Sequence, residues 1–317
     1  MHRYIIKRLF LMIPVIIGVS FLVFFIMDMA PGDAVDLMAP EGATAEDLDA
    51  IRHELGLDQP VVIRYVKYMS GMLRGDMGVS YVSKTDVFDT YMEKLPATIK
   101  LSFASILVSV LLSVPLGIYS ATKQGPLQDN ISMVLAMIGL SMPNFWLGLL
   151  LIIAFSLKLH MFPSGGDETL SSIVLPALTI GTGLMATLTR TTRSSMLDVL
   201  KQEYLRTARA KGIPEKIVVM SHALRNALIP IITIIGTQLA GVLGGSVLTE
   251  TVFAWPGVGR LIVDSLNMRD TPLVTGSIIM TTILLSIVLL LVDLLYAVVD
   301  PRIKAQYITK RGKRKHG

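Results

Sequence analysis

The sequence predicts an all-α membrane protein with six transmembrane helices, and three observations carry that reading. Of 317 residues, 52% are hydrophobic and only 17% charged, against about 25% charged in soluble domains, and the mean hydropathy is +0.61. Uncharged apolar stretches long enough to cross a hydrocarbon core of about 30 Å occur six times. The basic residues are also distributed unevenly between alternate connecting segments, as membrane insertion requires. Closed barrels need short alternating strands, so helices are the spanning option. Cysteine is absent, which excludes disulfides, zinc–thiolate sites and thiol nucleophiles.

The six stretches are 9–27, 101–122, 131–157, 170–189, 227–249 and 271–292. The first follows Arg3, Lys7 and Arg8 but is too long for a signal-peptide core and lacks a small-residue cleavage site, so it reads as an uncleaved span. The third is long enough to tilt or to break at Pro143-Asn144. In the fourth, Pro176, Gly181, Gly183 and several threonines dilute the apolar character. Nineteen of the 29 Lys and Arg lie in the N-terminus, 122–130, 190–226 and 300–317, which places these segments and both termini in the cytoplasm. The organisation expected is a first helix (1–30), an extracytoplasmic region (31–98), a core of helices two to six with a cytoplasmic loop at 190–226 (99–292), and a basic tail (293–317).

Two loops are large enough to have roles of their own. In the external one, Thr44 and Asp47 form a capping box, Leu48, Ile51 and Leu55 share a face, and Gly56 ends the helix. Pro60 opens a second amphipathic helix carrying Val61, Tyr65, Tyr68 and Met72, and 86–95 reads as a third. A cap over the bundle and a docking surface for an external partner both fit. In the cytoplasmic loop, Ser195 and Asp198 are expected to cap a helix bearing Leu197, Leu200, Tyr204 and Ala208. Gly212 stops it, and Pro214 starts a second short helix to about Asn226. This hairpin has too few apolar residues for its own core and must lean on something else. Arg206, Arg209 and Lys211 suit anionic lipid headgroups, whereas the small face of Ala208 and Ala210 suits a soluble partner.

Catalytic signatures are missing. The chain has no phosphate-binding P-loop, nucleophile elbow, zinc-protease or calcium-loop motif, and His2, His53, His160, His222 and His316 are scattered. The spans hold almost no ionisable groups, Asp293 excepted, which argues against an ion-coupled carrier. Span five contains two small-residue rows, Gly236/Ala240/Gly244 and Thr237/Gly241/Gly245. Such rows permit close helix packing. Beside Thr233 and Gln238 they also suit a solute path, as do Ser141, Pro143 and Asn144 in span three.

Glu203-Tyr204-x3-Ala208-x-Ala210-x-Gly212, followed by His222, Asn226 and Pro230, resembles the cytoplasmic loop of ABC-type importer permeases, in the version of the oligopeptide/dipeptide/nickel family. Pro31-Gly32-Asp33, Leu55-Gly56-Leu57-Asp58-Gln59-Pro60, Gly75-Asp76-Met77-Gly78, Phe162-Pro163-Ser164-Gly165, Glu250-x2-Phe253-x2-Pro256-Gly257-x-Gly259 and Asp300-Pro301-Arg302 are similar to that family's B-type subunit, in order along the whole chain. Tyr204 stands where general permeases have alanine.

The resemblance implies a type I ABC importer permease fold in a bacterial or archaeal inner membrane. Its partners would be a second homologous permease subunit, two cytoplasmic ATPase subunits, an extracytoplasmic solute-binding protein and membrane lipid, with no nucleic acid. It implies ATPase coupling through Glu203, Tyr204, Ala208, Ala210 and Gly212, and no cofactor on this chain, ATP and magnesium being bound by the ATPases; the candidate translocation path, read from the spans themselves, is Ser141, Asn144, Thr233, Thr237, Gln238 and Gly241. The solute would be a di- or oligopeptide or a related small molecule. A stand-alone secondary transporter or channel is the alternative.

Overall fold

A computed structural model describes residues 2–29, 35, 38, 43–123 and 142–299. Ser141, Pro31-Gly32-Asp33, the start of the expected third span and the basic tail from 300 onward lie outside the described residues. Those described form helices α1 (His2–Met29), α2 (Ala45–Glu54), α3 (Val61–Met72) and α4 (Val87–Thr122). They are followed by α5 (Asn144–Lys158), α6 (Leu170–Leu200), α7 (Glu203–Ala210), α8 (Glu215–Gly245), α9 (Val247–Val252), α10 (Val258–Asn267) and α11 (Thr271–Val299). Extended pairing among them is a single antiparallel bridge, Val79 to Asp86. Five helices, α1, α4, α6, α8 and α11, are long and apolar enough to cross a membrane, and α5 is a shorter apolar helix whose second half is π-helical.

Contacts divide the chain into two compact units, one of Met1–Ile99 with Gly244–Ser286, the other of Lys100–Leu243 with Ile287–Gly317. In the first unit, α2 begins at the expected capping box. The Thr44 amide donates to Asp47 (2.9 Å) and the Asp47 amide to Thr44 Oγ1 (3.3 Å). The hydrogen bond from the Thr44 backbone holds the Asp47 carboxyl below its ordinary range. Gly56, just beyond α2, has φ +66°. Pro60 opens α3 as expected.

The region 86–95 is not a separate helix, because α4 runs unbroken from Val87 through Pro96 to Thr122. Pro96 removes one backbone donor, but its neighbours are pinned. The Trp255 indole donates to the Ala97 carbonyl (2.9 Å), and Thr98 Oγ1 donates to Glu250 (2.9 Å) and accepts from the Val258 amide (2.8 Å).

In the second unit, α4 and α6 approach closely. A methyl group on Gly181 would lie 2.7 Å from Val108 and 2.9 Å from the Ser105 carbonyl, and one on Gly117 would lie 2.6 Å from Thr192. Ser102, Ser105, Ser109 and Ser113 continue the buried small-residue face of α4. This contact explains the diluted apolarity of the fourth span. Its most apolar window is 61% buried within the protein, against 11% for α1 and α11, so it is enclosed by this chain where theirs are not.

Two hairpin boundaries differ from expectation. Ser195 and Asp198 do not cap a helix, because α6 continues to Leu200 with Ser195 buried and Met196 wholly enclosed. The second helix of the hairpin is not short. It begins at Glu215, just after Pro214, and is continuous through a π-helical turn (Val218–Ala223) into span five, ending at Gly245.

Candidate functional site

Helix α7 is eight residues long and has one fully enclosed side chain, Leu205. Leu205 enters a cluster with Ala121, Leu188, Met196, Val218, Val219, Ala223, Ala227 and Ile231, and Ala208 and Ile213 pack against the same cluster. Burying one leucine contributes about 1.5–3 kcal/mol, enough to dock a short helix that would not persist alone. The start of α7 follows Gln202, whose side chain makes no cap bond.

The C-terminus of α7 is closed by a Schellman arrangement. The Gly212 amide donates to the Arg209 carbonyl (2.9 Å) and the Ile213 amide to the Ala208 carbonyl (3.4 Å). Gly212 takes φ +76°, and nothing lies within 4 Å of where its side chain would start. Its requirement for glycine is therefore conformational and not steric. Arg209 then clamps Glu215 across the turn with two hydrogen bonds (3.0 and 2.9 Å). These hydrogen bonds raise the Arg209 pKa and lower that of the Glu215 carboxyl. Asn226 Nδ2 donates to both Tyr204 Oη and the His222 carbonyl, each at 2.8 Å. The remainder of α7, Glu203, Tyr204, Arg206, Thr207, Arg209 and Ala210, is exposed. Four of the five expected coupling residues thus lie on or beside one open surface, with Ala208 half-buried beneath it.

The two small-residue rows of span five separate. A methyl on Gly236 would meet Val292 at 2.7 Å and one on Gly244 would meet Leu285 at 2.7 Å, so this row is a packing seam. Thr237 is exposed, and Gly241 and Gly245 have no described residue within 4 Å of a methyl position, so among the described residues the second row is unpacked. Gln238 donates through Nε2 to the Leu184 carbonyl (3.1 Å), while its buried Oε1 has no partner among the described residues. Thr233 is half-buried and donates to the Ile229 carbonyl. Asn144 is exposed in the first turn of α5, its side-chain oxygen 2.7 Å from a methyl position on Gly183. The structure brings Asn144 and Gln238 each against α6, at Gly183 and Leu184, and leaves Thr237 and Gly241 facing outward from α8.

Residues 113–305 match the model of the family "Binding-protein-dependent transport system inner membrane component", and residues 1–102 match that of the N-terminal part of such membrane components. The chain belongs to this family. The permease is 42% identical over 315 residues to the oligopeptide transport system permease protein AppB of Bacillus subtilis, covering 96% of this chain and all of that one. It is 41% identical over 304 residues to the glutathione transport system permease protein GsiC of Escherichia coli, covering 96% and 99%. Its fold is similar to that of a chain of the inward-facing MetNI methionine ABC transporter, with TM-score 0.56 and 16% identity over 67% of this chain and 97% of that one. The chain is therefore a permease subunit of a binding-protein-dependent ABC importer, a multi-pass inner-membrane protein that works with an ATPase and a solute-binding protein. The stand-alone carrier or channel is set aside by that membership.

The spacing of apolar residues gave no sign of two buried carboxylates in the permease. Glu250 is fully enclosed and accepts from Thr98 Oγ1 (2.9 Å), Ser246 Oγ (2.8 Å) and the Arg260 amide (3.1 Å). A side chain on Gly259 would reach within 2.9 Å of its carboxylate, which accounts for one of the glycines in the motif that begins at Glu250. Asp270 accepts from the Ser80 hydroxyl and from the amides of Tyr81 (3.2 Å), Val82 (3.3 Å) and Leu273 (3.3 Å), fastening the 80–86 turn to the start of α11. In both, converging donors satisfy the buried carboxyl oxygens. For Glu250 the signal available in the sequence was the motif running to Gly257 and Gly259, whereas Asp270, flanked by Arg269 and Thr271, carried none.

Proposed function

We propose that this permease forms half of the translocation pathway for di- or oligopeptides or a closely related small solute. The other half comes from a second homologous permease subunit, and two cytoplasmic ATPase subunits and an extracytoplasmic solute-binding protein complete the importer. ATP and magnesium are bound and used in the ATPases; this chain holds no cofactor and makes or breaks no covalent bond. Both termini and the 190–226 segment face the cytoplasm, and α7 is the coupling helix received by an ATPase subunit.

The observation that carries the coupling assignment is the surface of α7. A helix with a single fully enclosed side chain, Leu205, and with Tyr204 still 44% exposed, is built to be completed by a second surface. Its C-terminal turn is continuous with span five, so a displacement of α7 is handed directly to α8 and to Thr233, Thr237, Gln238 and Gly241. With Ser141 and Asn144, these neutral hydroxyl and amide groups form a path suited to peptide amides, in an alternating-access cycle. The relatives named for oligopeptide and glutathione transport support this solute class, glutathione being itself a small peptide.

The experiment is uptake by the assembled importer carrying Gly212→Val or Gly212→Asn. A β-branched residue at φ +76° is strained by about 1–2 kcal/mol, whereas asparagine tolerates that conformation. Gly212→Val is expected to assemble but to lose most uptake and the stimulation of ATP hydrolysis by the binding protein, and Gly212→Asn to retain both. Wild-type uptake by Gly212→Val, with the complex intact, overturns the coupling assignment. Thermal stabilisation of the cognate binding protein by peptides, against glutathione and nickel complexes, tests the solute separately.

A further inference from the structure

Helix α3 follows the first span in sequence and packs back against it well inside the apolar stretch. Tyr65 Oη is 2.9 Å from Ser20 Oγ and donates to the Ile17 carbonyl at 3.2 Å. The Tyr65 ring meets Phe21 and Phe24 edge-on, with centroids 5.4 and 5.7 Å apart, and Tyr68 lies against Phe24 at 5.8 Å. At 1.5 Å per residue, Ser20 is about 12 Å along the α1 axis from Asp28, where charge first reappears. Arg64 pairs with Asp28 at 2.5 Å and lies over the Phe24 ring at 5.6 Å, so its charge is held at the polar end while its neighbour Tyr65 reaches toward the apolar middle.

The outward side of α3 is divided. Val62, Val66 and Leu73 fall within about 40° of one another around the helix and are exposed by 58%, 58% and 83%. Ser70, Ile63 and Lys67 occupy the next arc, also exposed. Val62 of this stripe lines a shallow recess with Phe21 and Phe25 of α1, and Phe21, Leu22, Phe25 and Ile26 on that helix are all exposed. On a spanning helix that surface faces lipid. An apolar stripe at the same level on a helix packed beside it meets the same medium.

We propose that α3 is an interfacial membrane helix and that lipid acyl chains cover Val62, Val66 and Leu73, with Lys67 and Ser70 at the headgroup level. Interfacial helices of this kind lie about 5–10 Å below the headgroup boundary, which agrees with the level set by Tyr65. Arg64 and Tyr68 belong to the inward face, Arg64 paired with Asp28. Burial against α1 and desolvation push the Tyr68 phenol pKa upward, the nearby Asp76 charge adding to the effect. The depth of α3 rests on α1 being a span; only the assignment to the outer leaflet rests on the orientation proposed above.

The cysteine-free chain makes the test direct. Nitroxide labels are placed singly through V62C, V66C, S70C, L22C and E54C in the assembled importer, with partner cysteines replaced, in vesicles of phosphatidylethanolamine and phosphatidylglycerol. Collisions with oxygen, which concentrates in lipid, are compared with collisions with a water-soluble nickel chelate. V62C and V66C are expected to match the oxygen-to-nickel ratio of the lipid-facing L22C reference, well above that of the water-exposed E54C, and S70C is expected to fall between. Nickel accessibility at V62C and V66C equal to E54C overturns the proposal, and so does shielding from both reagents, which would mean that a protein subunit covers the stripe. An error in orientation alone would leave these ratios unchanged and would appear only as a reversal of the side from which an impermeant reductant reaches S70C.

Discussion

Two side chains hold α7 in its place, and their contributions differ in kind. Leu205 is enclosed on all sides by the cluster around Met196 and Ile231, so Leu205→Ala leaves a void and is expected to cost about 2–5 kcal/mol. Tyr204 contributes one exposed hydrogen bond from Asn226, and water replaces it on removal. Tyr204→Phe and Asn226→Ala are each expected to cost under about 1 kcal/mol, with a coupling of about 0.5 kcal/mol between them. Thermal unfolding of the solubilised complex, run as a double-mutant cycle, measures both. A Leu205→Ala variant as stable as the parent would show that α7 is not docked by its apolar face, and strictly additive Tyr204 and Asn226 effects would remove the bond from the account.

Glycines on different helices separate packing from open space, and the contrast gives an element-level expectation. Gly181→Ala forces a methyl against Val108 and the Ser105 carbonyl and is expected to destabilise the permease by about 1–3 kcal/mol. Gly241→Ala adds a methyl into open space. It is expected to leave the unfolding temperature unchanged while altering uptake, if the Thr237/Gly241 row borders the path. Equal unfolding temperatures for the two variants would contradict the close approach of α4 and α6.

The same contrast shows what the sequence could express. Small residues at helical spacing signalled two seams in span five, but both rows have the same spacing, and only neighbours far along the chain, Val292 and Leu285, decide which one packs. The capping box at Thr44 was legible because every atom of it lies within four residues. The ends of α6 and α8 were not, since an apolar stretch records where a helix meets lipid and helices continue beyond that limit. Ser195 reads as a cap from its neighbours in sequence, whereas its burial is decided by tertiary contacts.

At the scale of the whole molecule, the feature most accessible to experiment is the sidedness of the chain, because the basic residues that set it are unequally shared and the chain carries no cysteine. Nineteen of 29 Lys and Arg fall on one set of segments. The region from 28 to 99 is acidic but too long to vote strongly on topology, so the short segments decide. The Arg209 and Glu215 clamp marks the proposed inner side, and the turn carrying Ser83 and Lys84 marks the outer. Both sites are exposed, and neither Ser83 nor Ala210 is buried in a core that a thiol would disturb. Ser83→Cys is expected to react with a membrane-impermeant maleimide in intact cells whose outer envelope is permeable to it, whereas Ala210→Cys is expected to react only after the inner membrane is opened. Addition of the ATPase subunits to inside-out vesicles should then protect Ala210→Cys and leave Ser83→Cys unaffected. Labelling of Ala210→Cys from outside would reverse the orientation, and labelling from inside that the ATPase does not protect would detach α7 from the motor while leaving the topology in place.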